Sequence, residues 1–302
     1  MAQRIAAAVN RFWVTEGHLT EGRQWVEQAL ALDDSSPSSP RAWSFIGAGV
    51  LAYFLGDTQR ATECNNEAKV IFSELGDARG VACCYGNLGL IADAEMDYDR
   101  AVALYSEALE RFRALDDQTH VRFMLGNLGL IRYFQQEYAH ANALMEESLA
   151  LSRATGDRHS EAISLGNLGM VAFALGDYDR ALDLQREVLL IRREMSNQAH
   201  LALTLEKVAM IVAATGEPTR AARLFGAAEA LRADVGGTVQ PNDREILDRS
   251  IATARHQSGE IAFTTAWTSG STLTADAAID EALDGDWDYT SAGYRAEDAR
   301  AE

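Results

Sequence analysis

Three asparagines, Asn87, Asn127 and Asn167, stand 40 residues apart, each inside a repeated pentapeptide: GNLGL, GNLGL and GNLGM. A primary amide offers two donors and an acceptor, which is the chemistry that holds an extended peptide backbone without reading its side chains. Lys207 takes the same place one interval later and brings a cation suited to a ligand acid. Three and six residues beyond these positions runs a second set: Val50 and Tyr53, Leu90 and Asp93, Leu130 and Tyr133, Met170 and Phe173, and Met210. Trp43 and Phe123 extend that stripe backwards. Such a lining suits an amphipathic helix or an apolar peptide. The same amides would equally well bridge neighbouring helices in every unit, and an apolar stripe at helical spacing serves a core as readily as a groove.

No arrangement for catalysis emerges. His18, His120, His140, His159, His200 and His256 are scattered, with no H-E-x-x-H and no G-x-S-x-G elbow. His120 and His200 fall at equivalent corners and are expected to be solvent-exposed loop residues. A phosphate-cradling loop needs a lysine after glycine, and neither Lys69 nor Lys207, the two lysines of the chain, has that context. Glu67, Glu107, Glu147 and Glu187 recur in register, as a solvated helix face does. Cys64, Cys83 and Cys84 form no C-x-x-C pair and read as reduced, half-buried thiols. The expectation is a non-enzyme with no metal and no cofactor.

Bulk properties narrow the class. A formal charge of −18 argues against a broad nucleic-acid or membrane-surface role, because phosphate backbones demand clustered cations. Nearly half of the 302 residues, 47%, are apolar, so a folded core is expected. The N-terminal stretch lacks the long apolar run of a signal peptide, and no stretch reaches the ~20 apolar residues of a membrane span. A cytoplasmic location is expected.

The elements that must position the asparagines follow from the period. In a register of 40 without gaps from Trp43 to Leu231, a small residue recurs at Gly49, Gly89, Gly129, Gly169 and Ala209. Seven residues on comes a turn carrying an acid, as in Gly56-Asp57 and Gly176-Asp177, and then an invariant alanine at Ala61, Ala101, Ala141, Ala181 and Ala221. Each unit closes on a polar corner: Gly76-Asp77, Asp116-Asp117, Gly156-Asp157 and Ser196-Asn197. Asp77, Asp117, Asp157 and Asn197 are placed to cap helices. The unit therefore reads as two amphipathic helices, the second burying Ala101, Leu104, Tyr105, Ala108 and Phe112, the first Tyr85, Leu88 and Ala92. One hairpin cannot bury its apolar face alone, whereas a stack of hairpins can. Glycine inside a helix costs ~1 kcal/mol against alanine, so both glycines of the pentapeptide are expected where paired helices touch.

Leu88, Gly89, Ala101, Tyr105 and Ala108, with Asp97-Tyr98 at the turn, resemble the tetratricopeptide repeat in a 40-residue form, from Ser39 to about Val235. The resemblance implies an all-α superhelical solenoid of helix hairpins whose concave groove, lined by first helices, binds a protein or peptide. The closing proline of that repeat is absent, and Gln185 replaces the aromatic at Tyr105. The expected organisation is a degenerate helix pair over 1–38, five repeats over 39–236, C-terminal capping helices over 237–285 and an acidic mobile tail over 286–302. Within it, Asn242 and Glu245 are spaced as a capping box, and the loop DDSSPSSP interrupts the array at Asp33–Pro40. The stretches RFWVTEGHLTEGRQWVEQALAL and AARLFGAAEALR are also similar to the C-terminal part of bacterial signal-transduction ATPase-type (STAND/LuxR-like) regulators. That similarity implies a sensor or partner-docking arm, with an ATPase module upstream in a longer parent chain. A structural module that assembles with itself is the alternative.

Overall fold

Short acidic side chains start five of the helices. The carboxylates of Asp57, Asp77, Asp97, Asp117 and Asp177 each accept from the backbone N–H three residues ahead, at 2.9–3.3 Å, satisfying one of the orphan donors of a first turn. Asp157 is paired with Arg122 at 2.9 Å, and Glu137, a residue too long for the role, makes no cap and turns to Arg132 and His140. The turn before each cap needs a left-handed residue. Gly56, Gly76, Gly156, Gly176 and Gly216 supply it, with φ between 66° and 92°, while Met96, Asp116 and Gln136 adopt the same region with φ of 59°, 53° and 63°.

This computed structural model describes residues 2–32, 36–195, 198–234 and 241–284. The described residues form α-helices and no strand. The chain divides into two units, Met1–Asp157 and Arg158–Glu302. The first holds α1 (Ala2–Thr15), α2 (Leu19–Ala31), α3 (Ser39–Phe54), α4 (Thr58–Glu74), α5 (Ala78–Ala94), α6 (Tyr98–Ala114), α7 (Gln118–Phe134) and α8 (Tyr138–Ala154). The second holds α9 (Arg158–Ala174), α10 (Tyr178–Glu194), α11 (Gln198–Ala214), α12 (Pro218–Asp234), α13 (Pro241–Ser258), α14 (Glu260–Gly270) and α15 (Ala275–Leu283). Successive helices pair as hairpins, and each hairpin packs on the next within its unit. The cap expected of Asn197, the side chain of Asn242, the centre of the Asp33–Pro40 loop and the acidic tail lie outside the described residues.

The second glycine of each pentapeptide has the expected steric cause. A Cβ at Gly89 would stand 2.7 Å from the Tyr105 ring, one at Gly129 would stand 2.9 Å from Met145, and one at Gly169 would run into the amide of Gln185. Gly49 is the same case against Asn65 and Cys64. Tyr105, Ala101 and Ala108 are fully buried beneath these crossings. Gln185, in the place of the aromatic, is buried and donates to the Gly166 carbonyl at 3.1 Å.

The first glycine does not behave as expected. A Cβ at Gly126 meets nothing within 4 Å, at Gly166 only the Lys207 ammonium at 4.0 Å, and at Gly86 only the tip of Met124 at 3.4 Å. A Cβ at any of the three would thus meet open space or the end of a flexible side chain, although Gly86 and Gly166 are themselves buried. Tyr85 also departs from the expected core role. It is half-buried, with Lys69 and Arg111 over its ring at 5.0 and 5.1 Å.

Substitution Gly129→Leu forces side-chain volume into the α7–α8 crossing, and overpacking of this kind costs ~1–3 kcal/mol; a thermal melt should show the loss. Met96→Gly relieves a left-handed conformation that a side chain disfavours by ~1–2 kcal/mol, so the same melt should move upward.

Candidate peptide-binding site

In the first unit the stripe is carried by the C-terminal halves of α3, α5 and α7. Val50, Tyr53, Asp93, Leu130 and Tyr133 are half-buried, and Leu90 is exposed. A cleft of 30 Å³ opens between α3 and α5, with Val50, Tyr53, Asn87 and Leu90 on its walls. Aromatic rings stand along this face, Tyr53 against Phe54 at 5.5 Å and Tyr133 between Phe134 and Tyr138 at 5.6 and 5.8 Å. Phe123 is 50% exposed, with the Arg122 guanidinium over its ring. Trp43 departs from the expected lining. It is half-buried and packs edge-on to the core residue Phe72 at 5.1 Å, because α4 offers a buried aromatic for it to cover.

The asparagines are half-buried. Asn87 Nδ2 donates to Asn65 Oδ1 at 3.0 Å, and Asn65 in turn donates to the Ala61 carbonyl at 2.8 Å. One donor of Asn87 thus ties α5 to α4, which was the bridging role left open for these amides. Asn127 lies beside the buried Tyr105 hydroxyl and favours its ionised form, though no hydrogen bond of good geometry joins the two.

Asp93 is the chemical exception on this face. Its register equivalents Tyr53, Tyr133 and Phe173 are aromatic. Burial raises the Asp93 carboxyl above the ordinary aspartate range, with no cation offsetting it. Burial and then the Asp93 charge raise Tyr53, and the same causes raise Tyr105. A carboxylate half-desolvated between tyrosines favours an incoming ammonium or guanidinium.

In the second unit, α9 presents Asn167, Met170 and Phe173, and α11 presents Lys207 and Met210, all half-buried. Lys207 reaches over Gly166, next to Asn167. Phe173 and Met210 lean on the core of this unit, with Phe173 against Tyr178 at 5.6 Å.

The thiols offer no nucleophile at neutral pH, since burial pushes Cys64 and Cys83 up to about 11 and Cys84 up to about 12. Among the described residues no cluster of three or more His, Cys, Asp or Glu is placed to hold a metal, and no helix is long and apolar enough to cross a membrane. The histidine corners differ from expectation. His120 is half-buried in the first turn of α7, stacked on Phe112 at 4.5 Å and bonded to Asp117 at 2.9 Å, and His200 is half-buried in the first turn of α11.

The tetratricopeptide-repeat family model matches residues 80–154, 120–194 and 160–234, together just over half of the 302-residue chain. The chain belongs to the tetratricopeptide-repeat family. Solved structures agree on the fold. BtubC (BKLC) from P. vanneervenii superposes with a TM-score of 0.60 at 20% identity, over 80% of this chain and 94% of that one. The apo form of RapI gives 0.63 at 15% identity, over 85% and 98%. The Rap conjugation gene regulator of plasmid pLS20, solved in complex with the Phr* peptide, gives 0.57 at 13%, over 83% and 73%. No curated protein matches the chain. The similarity to bacterial ATPase-type regulators finds no counterpart among these matches.

Asp93→Asn isolates the buried charge. A raised folded-state pKa means that the contribution of this carboxyl is present at low pH and is lost as pH rises through the raised value, leaving the anion unfavourable at neutrality. The variant should therefore melt higher than the parent at pH 7 and no higher near pH 3, as followed by circular dichroism.

Proposed function

We propose that the chain is a non-catalytic scaffold that holds an extended peptide, or a peptide-like segment of a protein, along the first-helix faces. The observation that carries this reading is the pair of unlike glycines around each asparagine. Gly89, Gly129 and Gly169 are explained by packing, whereas Gly86, Gly126 and Gly166 are not. Glycine inside a helix is unfavourable by ~1 kcal/mol, and at half-buried Gly126 the space of the missing Cβ is open to a ligand. In the first unit Asn127 supplies an amide, Leu130 and Tyr133 apolar surface and Asp93 an acceptor for a basic group; in the second Asn167 supplies an amide, Met170 and Phe173 apolar surface and Lys207 a cation for an acidic one. Asn87, committed to Asn65 by one donor, keeps its carbonyl oxygen and second hydrogen for a ligand. The peptide bound by the pLS20 Rap regulator is consistent with this use of the fold. A role as the sensor or docking arm of a bacterial regulatory protein completes the proposal.

A second reading is self-assembly. Ile5, Trp25 and Leu32 are 58%, 57% and 80% exposed around a 250 Å³ cleft on α1 and α2. An apolar cluster of this kind marks an interaction surface, and light scattering of the purified chain over a range of concentrations separates a dimer from a monomer.

The test of the peptide reading is a random decapeptide library panned on the immobilised full chain. Asn127→Ala with Asn167→Ala should retain helicity and reduce peptide retention, by roughly 0.5–1.5 kcal/mol for each lost hydrogen bond. Gly126→Ala should raise the melting temperature and still lower retention, because its methyl fills the open space. Retention unchanged in both variants would remove the proposed site.

A further inference from the structure

Arg192, near the C-terminus of α10, occupies the register position of Phe72 in α4 and Phe112 in α6, which are fully buried core residues. Arg192 as a whole is only 4% exposed. Nη1 lies 3.2 Å from Nδ1 of His159, and Nε has no hydrogen-bond partner. Because a guanidinium only donates, His159 Nδ1 must accept, which makes that imidazole neutral with its proton on Nε2. His200 stands edge-on to His159 at 5.7 Å and 87°.

No carboxylate among the described residues pairs with Arg192. Glu161 and Glu194, on α9 and α10, are both engaged by Arg158 at 2.8 Å. Other buried or half-buried arginines are supplied: Arg122 has Asp157, Arg186 lies in the field of Asp183, and Arg232, one repeat after Arg192, has Glu206. A buried cation without a counter-charge is strongly unfavourable, and the groups around Arg192 are basic. Burial lowers the Arg192 guanidinium, and burial, Arg192 and His159, in that order, lower His200. His159 and His200 sit in the first turns of α9 and α11, the helix ends whose dipole favours negative charge. His159 is exposed and opens the corner to solvent.

We propose that Arg192, His159 and His200 form an oxyanion site, which takes a phosphate or carboxylate group as the counter-charge the fold omits. Bound anion accepts from the guanidinium and from ring N–H groups of the imidazoles. The site is independent of the peptide face and stands whether or not that reading holds.

The experiment uses the full chain near pH 6, with phosphate, acetate and chloride compared at equal ionic strength. Expected is a saturable rise in melting temperature over chloride, with saturable changes in the His159 and His200 ring resonances followed by NMR. A response to both anions assigns a general oxyanion site, to phosphate alone a phosphoryl site, and to acetate alone a carboxylate site. Arg192→Phe restores the residue of Phe72 and Phe112, so it should fold and lose the response. His200→Gln, which leaves Arg192 in place, should weaken anion binding by about tenfold, the size of one charge-assisted hydrogen bond. No response over chloride, or an equal response in either variant, overturns the proposal.

Discussion

A lone helix pair of this sequence has an apolar face that nothing in the pair can cover, and the pair itself closes only where one helix gives up its Cβ. Those two conditions govern the molecule. At Gly89 and Gly129 the opposing side chain, Tyr105 or Met145, lies inside the volume that any larger residue would claim. The crossing then sets the distance at which Ala101 and Ala141 meet the first helix, and both are fully buried. Once that distance is repeated, the next hairpin finds the same surface to pack on, and a 40-residue period is the result. The C-terminal helices follow the same rule, with Gly226 against the Trp267 carbonyl and Gly270 against that of Arg223.

Packing accounts for only half of the repeated pentapeptide. At the glycine that precedes asparagine no side chain of the paired helix takes the place of the missing Cβ, and in the function proposed above its cost is offset by a ligand. The face beside it combines amides, aromatic rings and one desolvated carboxylate. Each is a weak partner alone, and together they give a surface with directional hydrogen bonds, apolar contact and a preference for positive charge. Asp93 adds to the same face a carboxyl whose charged form burial disfavours.

Core positions in a repeat array are also places where a substitution is read twice, once by its own hairpin and once by the next. Phe72 and Phe112 satisfy both neighbours with apolar surface, and Phe112 in addition stacks on His120. Arg192 leaves the same site polar and charged, and the surrounding imidazoles can relieve it only partly, as acceptors. Irregularity inside an otherwise regular array thus marks chemistry more directly than the regular positions do.

The helices and several of their caps could be read from residue spacing alone, because a period of 40, a short acid at most turns and small residues in register are local properties repeated often enough to be unambiguous; the family followed from resemblance. Asp77 and Asp117 cap where the pattern places them, and Tyr105 is buried as its spacing requires. What spacing could not separate was which of two glycines meets a neighbouring helix, since both lie on a helix interior and only the azimuth of the partner decides. Nor could it show that Asn87 reaches across to Asn65, that Trp43 turns to Phe72, that Tyr85 lies between two cations, or that His120 and His200 are drawn partly inward. Those outcomes depend on which side chains distant in sequence arrive at the same point, and only the packed hairpins bring them there.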